Sequence, residues 1–533
     1  MKALSHMTVT ITPQQAKQAI HGTAECALLD IREHGQYGEG HPFLSVHCPY
    51  SDFEQNLARL VPNTQTPLIL MDDGDGVSER AAATAATMGY ARVEILGGGA
   101  PAWSAAGYTL YKGVNLPSKT LGEIIEHHDH PKVITAQQLH DWQTEGKPMH
   151  FFDCRPPNEY DKMTIPGAAC VPNGELAHRL AAVVPDETTP IVVTCAGRTR
   201  GLIGAAGLER LSLPNPIFAV ENGTQGWALA GFALKRGNGQ PDMPAMSEQA
   251  LRMSRERADR LMKQEGLSCI DHAEFLRLAQ DGSRTLYLID VRSITEYKQG
   301  HLPGAVHAWS GQAAQAADLT MGVRRARAVL SDDTGLRAAM AGVWLKALGY
   351  EVYVLRETSP NALPTDWRVQ APAMPAVDSL AALAPKDVES MLTTGQAALV
   401  DIRGSQDYRK RHATGARWAT RARLSQLSQS NPDKPLVLLA DDPVAAGYFA
   451  EDAKSIGLTV LGLVAGGLKA WQSAGLATES TPLVPADQDC IDFLFFVHDR
   501  HDGNLESARR YLEWETGLIA QLDEQERASF QLS

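Results

Sequence analysis

No stretch of about 18 uncharged apolar residues occurs in the 533-residue chain, and Met1 to Gln15 lacks a basic segment followed by an apolar run. A membrane span and a secretory leader are therefore not expected, and a soluble cytoplasmic protein is. Cysteine is sparse: Cys26, Cys48, Cys154, Cys170, Cys195, Cys269 and Cys490 are an odd number spread thinly, without the close spacing of a disulfide scaffold or a zinc finger. They are read as reduced thiols. Positive charge is in deficit, with 49 Lys plus Arg against 62 Asp plus Glu and a net charge of −13, so the bulk surface repels phosphate backbones and anionic lipid heads. Neither nucleic acid nor membrane is an expected partner.

What is present suits globular packing: 44% of residues are apolar, with mixed charges between them. The length exceeds what one hydrophobic core supports and implies several compact domains, each with its own core.

Self-similarity supplies their number. An apolar pair followed by Asp-x-Arg recurs at Leu28–Arg32, Phe151–Arg155, Leu288–Arg292 and Leu399–Arg403. The steps between the four aspartates, Asp30, Asp153, Asp290 and Asp401, are 123, 137 and 111 residues, too long for solenoid repeats and right for duplicated domains. Each step is followed by an acidic or amide residue and a tyrosine (Gln36 and Tyr37, Glu159 and Tyr160, Glu296 and Tyr297, Asp407 and Tyr408), and then by a Pro/Gly turn, fullest at Gly300–Ala305. A second β-rich run follows at Leu68–Met71, Ile191–Thr194, Ala328–Leu330 and Leu436–Leu439, feeding a short loop and a helical stretch. A third apolar run ends in a glycine turn and a tryptophan at Gly97–Trp103, Asn222–Trp227 and Gly466–Trp471, whereas the third copy has only Trp367.

Alternating strands and helices predict an α/β fold: four tandem domains, each a small, mostly parallel sheet with helices on both faces. Their expected limits are 7–114, 131–237, 263–372 and 376–481, with a tail at 482–533. Linkers are expected at Asn115 to Pro131, at Lys235 to Pro244 with a charged helical stretch after it, and around Ala371 to Val377. In the tail, Leu505, Ala508, Leu512, Ile519 and Leu522 fall near helical spacing, which predicts an amphipathic helix docked on a domain or on a second subunit and leaves a homo-oligomer open.

The chemistry concentrates in the second copy. After Ile191–Thr194 it reads Cys195, Ala196, Gly197, Arg198, Thr199, Arg200, placing a thiol where strand turns into helix. A helix start offers unpaired N–H groups and partial positive charge, and a glycine-containing loop turns more N–H groups inward, so the site suits anions. Helix dipole and adjacent arginines favour the thiolate, and the planar guanidinium forks of Arg198 and Arg200 suit a doubly charged oxyanion. The corresponding loops of the other copies, Met71–Gly74, Ser331–Thr334 and Ala440–Pro443, have carboxylates and no cysteine, and are read as catalytically silent.

The Asp-x-Arg step, the Pro-Gly-Ala turn, the Cys195–Arg200 loop and the Gly-to-Trp ending together resemble the rhodanese superfamily over nearly the whole chain. The loop is similar to that of thiosulfate-using members and unlike the Cys-Gly-x-Gly-Val-Thr loop of mercaptopyruvate-using ones. The resemblance implies a thiosulfate sulfurtransferase in which Cys195 attacks the outer sulfur of thiosulfate, releases sulfite and passes its persulfide to cyanide or a thiol. Ala196, Gly197, Arg198, Thr199 and Arg200 then bind substrate, and neither a metal nor an organic cofactor is implied. By the same resemblance Asp153, Arg155 and Glu159 hold the fold.

Two alternatives remain. A phosphatase or arsenate reductase on this fold places five residues between cysteine and arginine, whereas Cys195 and Arg200 have four between them. A non-enzymatic scaffold of four modules would leave Cys195 as a relic. Of the other cysteines, Cys48 and Cys170 are candidates to lie near a domain mouth and accept sulfur. The runs His127–His130 and His498–Asp502 are read as solvated surface, and Gly97–Gly99 as a turn.

Overall fold

The computed structural model describes residues 9–368, 371–430 and 434–532. Residues 7 and 8 of the expected first domain, 369–370 of the third, 431–433 of the fourth and 533 of the tail lie outside these, as does the first half of the Met1–Gln15 segment.

Four five-stranded parallel sheets follow one another along the chain, all with the strand order first, fifth, fourth, second, third. In the second copy these are β1 (Val133–Ile134), β2 (His150–Asp153), β3 (Ala169–Cys170), β4 (Ile191–Thr194) and β5 (Ile217–Val220). All four residues of β4 are buried, as a strand covered by helices on both faces demands. Crossover helices connect the strands, so the loops at the carboxyl ends of the central strands open on one side of each sheet, where α/β folds place ligands. A short antiparallel pair, His412–Ala413 with Thr478–Glu479, extends the fourth copy.

The Asp-x-Arg step has the same structural task in all four copies. Asp30, Asp153, Asp290 and Asp401 are fully buried at the end of the second strand, and each takes an arginine fork from the residue two positions on. The same arginine also donates to a backbone carbonyl eight residues ahead: Gly40, Met163, Gly300 or Arg411. Strand end and following turn are thus fastened by one charge-assisted, bidentate contact. Trp103, Trp227 and Trp471 each cap a carbonyl six residues on. Trp367, lacking the glycine turn, reaches back to Pro303 instead.

The cores are not separate. One hydrophobic cluster runs from Ala27 through Val193 and Ala219 to Val354, joining copies one, two and three. The reason is the helix Leu336–Ala347 of the third copy, nearly all buried, which packs on Glu175–Val183 of the second and on the connecting helix Glu248–Glu265. The second and third copies meet about a local pseudo-twofold. Arg200 of the second copy reaches Gln312 of the third, and Arg337 of the third meets Glu175 of the second, each partner five residues past its own third strand. The first and fourth copies meet at the same place in the fold, through a buried Glu54–Arg421 pair and a Tyr50–Asp452 hydrogen bond.

Two segments differ from their sequence reading. Most of the expected linker Asn115–Pro131 is a helix, α1 (Leu116–Asp129), packed along α2 (Thr199–Glu209) of the second copy. In the tail, α3 (Leu505–Thr516) buries Ala508 and Leu512 but ends before Ile519 and leaves Leu505 exposed. The tail docks on domains of its own chain: Asp523 and Glu526 take the buried Lys17 ammonium, Trp514 donates to the Lys112 carbonyl, and the Gln531 N–H donates to that of Ala347. No helix among the described residues is long and apolar enough to cross a membrane.

Candidate active site

Cys195 directly follows β4, and α2 begins four residues later, so its Sγ lies beneath the helix start. The Gly201 N–H donates to Sγ at 3.3 Å, and the thiol points toward the Arg198 carbonyl at 3.8 Å. The loop is fixed from below: the glycine turn after β5 donates to it through Thr224 N–H to the Cys195 carbonyl and Gln225 N–H and Nε2 to the Ala196 carbonyl. Gly223, at φ +51°, passes so close that a Cβ there would lie 2.2 Å from the Cys195 oxygen, so this turn requires glycine.

The six loop residues lie between the end of β4 and the start of α2, and the two arginines are engaged by carboxylates. Arg198 is held by Glu123 at 2.8 Å and by Glu126, both on α1, and contacts Asn222. Arg200 makes a bidentate pair with Glu159 at 2.6 and 2.8 Å and reaches Gln312 of the third copy at 3.5 Å. Glu159 therefore belongs to the site rather than to the framework alone. Arg200 holds its carboxyl below the ordinary range even though burial pushes the other way.

The thiol departs from the sequence reading. Cys195 is 2% exposed, and burial pushes its thiol above the ordinary range. The Arg200 charge and the Gly201 and Gly197 N–H groups oppose that shift, while the Glu515 carboxylate adds to it. Desolvation outweighs the anion cradle in setting the direction of the shift, against the preference for the thiolate expected from the loop sequence.

The tail supplies residues that sequence reasoning did not connect with the loop. Glu515, 1% exposed, accepts the Thr199 hydroxyl at 2.7 Å through Oε1, and its Oε2 has no hydrogen-bond partner among the described residues. Tyr511, one turn earlier on α3, and Glu515 both press on Gly197, where a Cβ would lie 3.3 Å from each. Gly122 of α1 packs on Thr199 more closely still, where a Cβ would lie 2.9 Å from it. Lys119, one turn before Glu123, is buried, and its ammonium lies 4.6 Å over the Trp514 ring and 5.3 Å over that of Tyr511.

The other thiols are placed differently. Cys48 and Cys170 are buried, with burial pushing the Cys170 thiol up to about 12, so neither lies at a mouth. Cys154 is buried behind the loop and donates to the Thr194 carbonyl. Cys269 is exposed. In the two histidine runs, Asp129 pairs with His128 and Arg210, and Asp499 with Asn504. No cluster of three metal-binding side chains occurs among the described residues.

The first and third copies fill the matching cradles with carboxylates. Asp72, the first residue after its strand like Cys195, accepts the Gly74 and Ser78 N–H groups at 2.8 and 2.9 Å. Asp332 accepts the Arg337 N–H at 3.0 Å and its Nε at 2.9 Å. A built-in carboxylate stands where the second copy has sulfur. In the fourth copy Ala440 takes that place, and Asp442 caps the helix.

Comparison with known proteins agrees with this repetition. The rhodanese-like domain matches residues 12–106, 135–230, 271–358 and 384–474. The crystal structure of a thiosulfate sulfurtransferase from Pseudomonas aeruginosa is 33% identical, covering 98% of this chain and 99% of that one, with a TM-score of 0.88. The Alr3790 protein of Anabaena sp. is 21% identical over 21% of this chain and 87% of its own, with a TM-score of 0.19. A 3-mercaptopyruvate sulfotransferase of Escherichia coli is 20% identical over 40% and 98%, with a TM-score of 0.17. No curated protein matches the sequence. With four copies of the domain in register and a near full-length structural counterpart, the chain belongs to the family of rhodanese-fold sulfurtransferases.

Proposed function

We propose that the protein takes sulfane sulfur from thiosulfate onto Cys195 and hands it to a thiol or to cyanide. The observation that carries this reading is the Cys195 Sγ under the α2 start, accepting the Gly201 N–H with the Arg200 charge beside it. Once the thiol proton has left to solvent, the thiolate attacks the outer sulfur of thiosulfate. The S–S bond of the donor breaks, and sulfite departs with the electron pair. The persulfide anion keeps its charge under the same N–H groups and guanidinium. A thiolate or cyanide then attacks the outer sulfur, forming a new persulfide or thiocyanate and returning the Cys195 thiolate. Sulfur is carried by the side chain itself, so the cycle calls for no cofactor. The Pseudomonas aeruginosa counterpart, named for thiosulfate, supports the choice of donor. A cytoplasmic location, where thiols stay reduced, fits this use of Cys195.

The test is mass spectrometry of the intact chain after thiosulfate treatment, with sulfite measured in the same sample. One added sulfur on Cys195 and an equal amount of sulfite are expected, both lost in Cys195→Ala. An unchanged mass in the wild type would favour a binding scaffold.

A further inference from the structure

A doubly charged donor needs a cation that is not already neutralised. Arg198 is matched by Glu123 and Glu126, and Arg200 by Glu159. Lys119 differs: it is 7% exposed, yet among the described residues no carboxylate lies within ion-pairing distance and its ammonium donates no hydrogen bond. Two aromatic faces, Trp514 and Tyr511, are its close neighbours. Burial pushes its pKa down to about 8, while Glu515, and more weakly Asp318, pull it up and Arg500 and Arg200 push it further down. A lysine only 7% exposed, whose ammonium donors meet no acceptor among the described residues, leaves those donors to water or to an incoming anion.

The placement of Lys119 says where that acceptor enters. On α1, Gly122 packs on Thr199 and Glu123 grips Arg198, and Lys119 lies on the same face one turn earlier. The Tyr511 ring beneath its ammonium presses on Gly197. A second guanidinium, Arg500, stacks on the same ring at 4.5 Å; its Nη1 donates to the Val497 carbonyl at 2.9 Å, and its Nε is buried and unpartnered. Beneath Ala196, Gln225 donates its Nε2 to the loop carbonyl and keeps its Oε1 buried and unpartnered.

We infer that Lys119, together with Arg500, forms an oxyanion subsite beside the Cys195 loop, built from the segment preceding the second domain and from the tail, which selects dianionic donors over singly charged ones. That the dianion is a sulfur donor rests on the function proposed above; the existence of the subsite does not.

The experiment uses the full chain, sulfate as an unreactive dianion and iodoacetamide as a neutral thiol reagent. Labelling is read at Cys195 and, as an internal reference, at the exposed Cys269. In the wild type, sulfate is expected to slow labelling of Cys195 and leave Cys269 unaffected. Lys119→Met should raise the sulfate needed for half-protection about tenfold, the loss of one charge-assisted contact, and Lys119→Arg should stay within about threefold. Absence of sulfate protection in the wild type, or equal half-protection in wild type and Lys119→Met, would overturn the inference. Lys119-dependent sulfate protection in a chain that takes no sulfur from thiosulfate would overturn the donor reading and uphold the subsite.

Discussion

The Thr199 hydroxyl donates to Glu515 Oε1 at 2.7 Å, across 316 residues of chain. This bond brings a buried carboxylate from the tail to the first residue of α2, at the positive end of the helix that serves Cys195. The position is favourable for Glu515 and unfavourable for the thiolate, because Glu515 raises the Cys195 pKa. Glu515→Gln keeps a hydrogen-bond acceptor for Thr199 and removes the charge. It should lower the pH midpoint of Cys195 alkylation by roughly half a unit, about threefold in thiolate fraction near neutral pH. A midpoint that stays or rises in the variant would contradict this electrostatic role.

The two loop arginines should separate. Arg200 is the largest influence favouring the Cys195 thiolate, whereas the Arg198 guanidinium is turned to Glu123 and Glu126. Arg200→Met is expected to raise the alkylation midpoint by about one unit, slowing labelling near neutral pH roughly tenfold. Arg198→Met should leave the midpoint within roughly 0.3 units. It should instead lower the melting temperature, because Glu123, 2% exposed, loses its partner. The pH profiles and a thermal scan of both variants check this, and equal midpoint shifts would refute it.

That separation was beyond the sequence for a physical reason. The β-rich runs and the Asp-x-Arg steps are legible because strands buried on both faces need continuous apolar runs, and because the arginine two residues on closes a local fork. The Cys195–Arg200 loop is legible because its chemistry is contiguous. What each side chain faces is set by chain segments far away: Glu123 and Lys119 on a helix read as a linker, Glu515 and Tyr511 in the tail, Gln312 in the third copy. No local pattern encodes such pairings. One signal was available, because Glu159–Arg200 and Glu296–Arg337 are both 41 residues apart and both form ion pairs. Comparing the copies pair by pair would have assigned Glu159 to Arg200.

The cradle in the first copy gives a third prediction. Asp72 satisfies the Gly74 and Ser78 N–H groups there, so Asp72→Ala should cost about 1–3 kcal/mol through two donors left without a partner. Asp72→Cys restores an acceptor but not the cation, because Val77 occupies the place that Arg200 has in the second copy, and Asp73 stands nearby. Treatment of that variant with thiosulfate should still add only one sulfur per chain, at Cys195. A second added sulfur in the intact mass would show that the cradle alone suffices.

Arg337 in the third copy carries the last prediction. It is fully buried and meets Asp332 at 2.9 Å, Asp333 at 2.6 Å, Glu296 at 2.8 Å and, across the boundary between copies, Glu175 at 2.8 Å. Removing one side of such a cluster leaves uncompensated buried charge, so Arg337→Met should destabilise the chain by about 3–5 kcal/mol, seen as an earlier first transition in calorimetry. Glu175 belongs to the copy that holds Cys195, and its pseudo-symmetric counterpart Gln312 touches Arg200. The loosened boundary should therefore also expose the thiol, raising the alkylation rate of Cys195 relative to Cys269. Neutralising the orphaned acid should undo part of both effects, so Arg337→Met with Glu175→Gln is expected to melt later than Arg337→Met alone. If the double variant melts earlier still, Glu175 supports the boundary through something other than its charge.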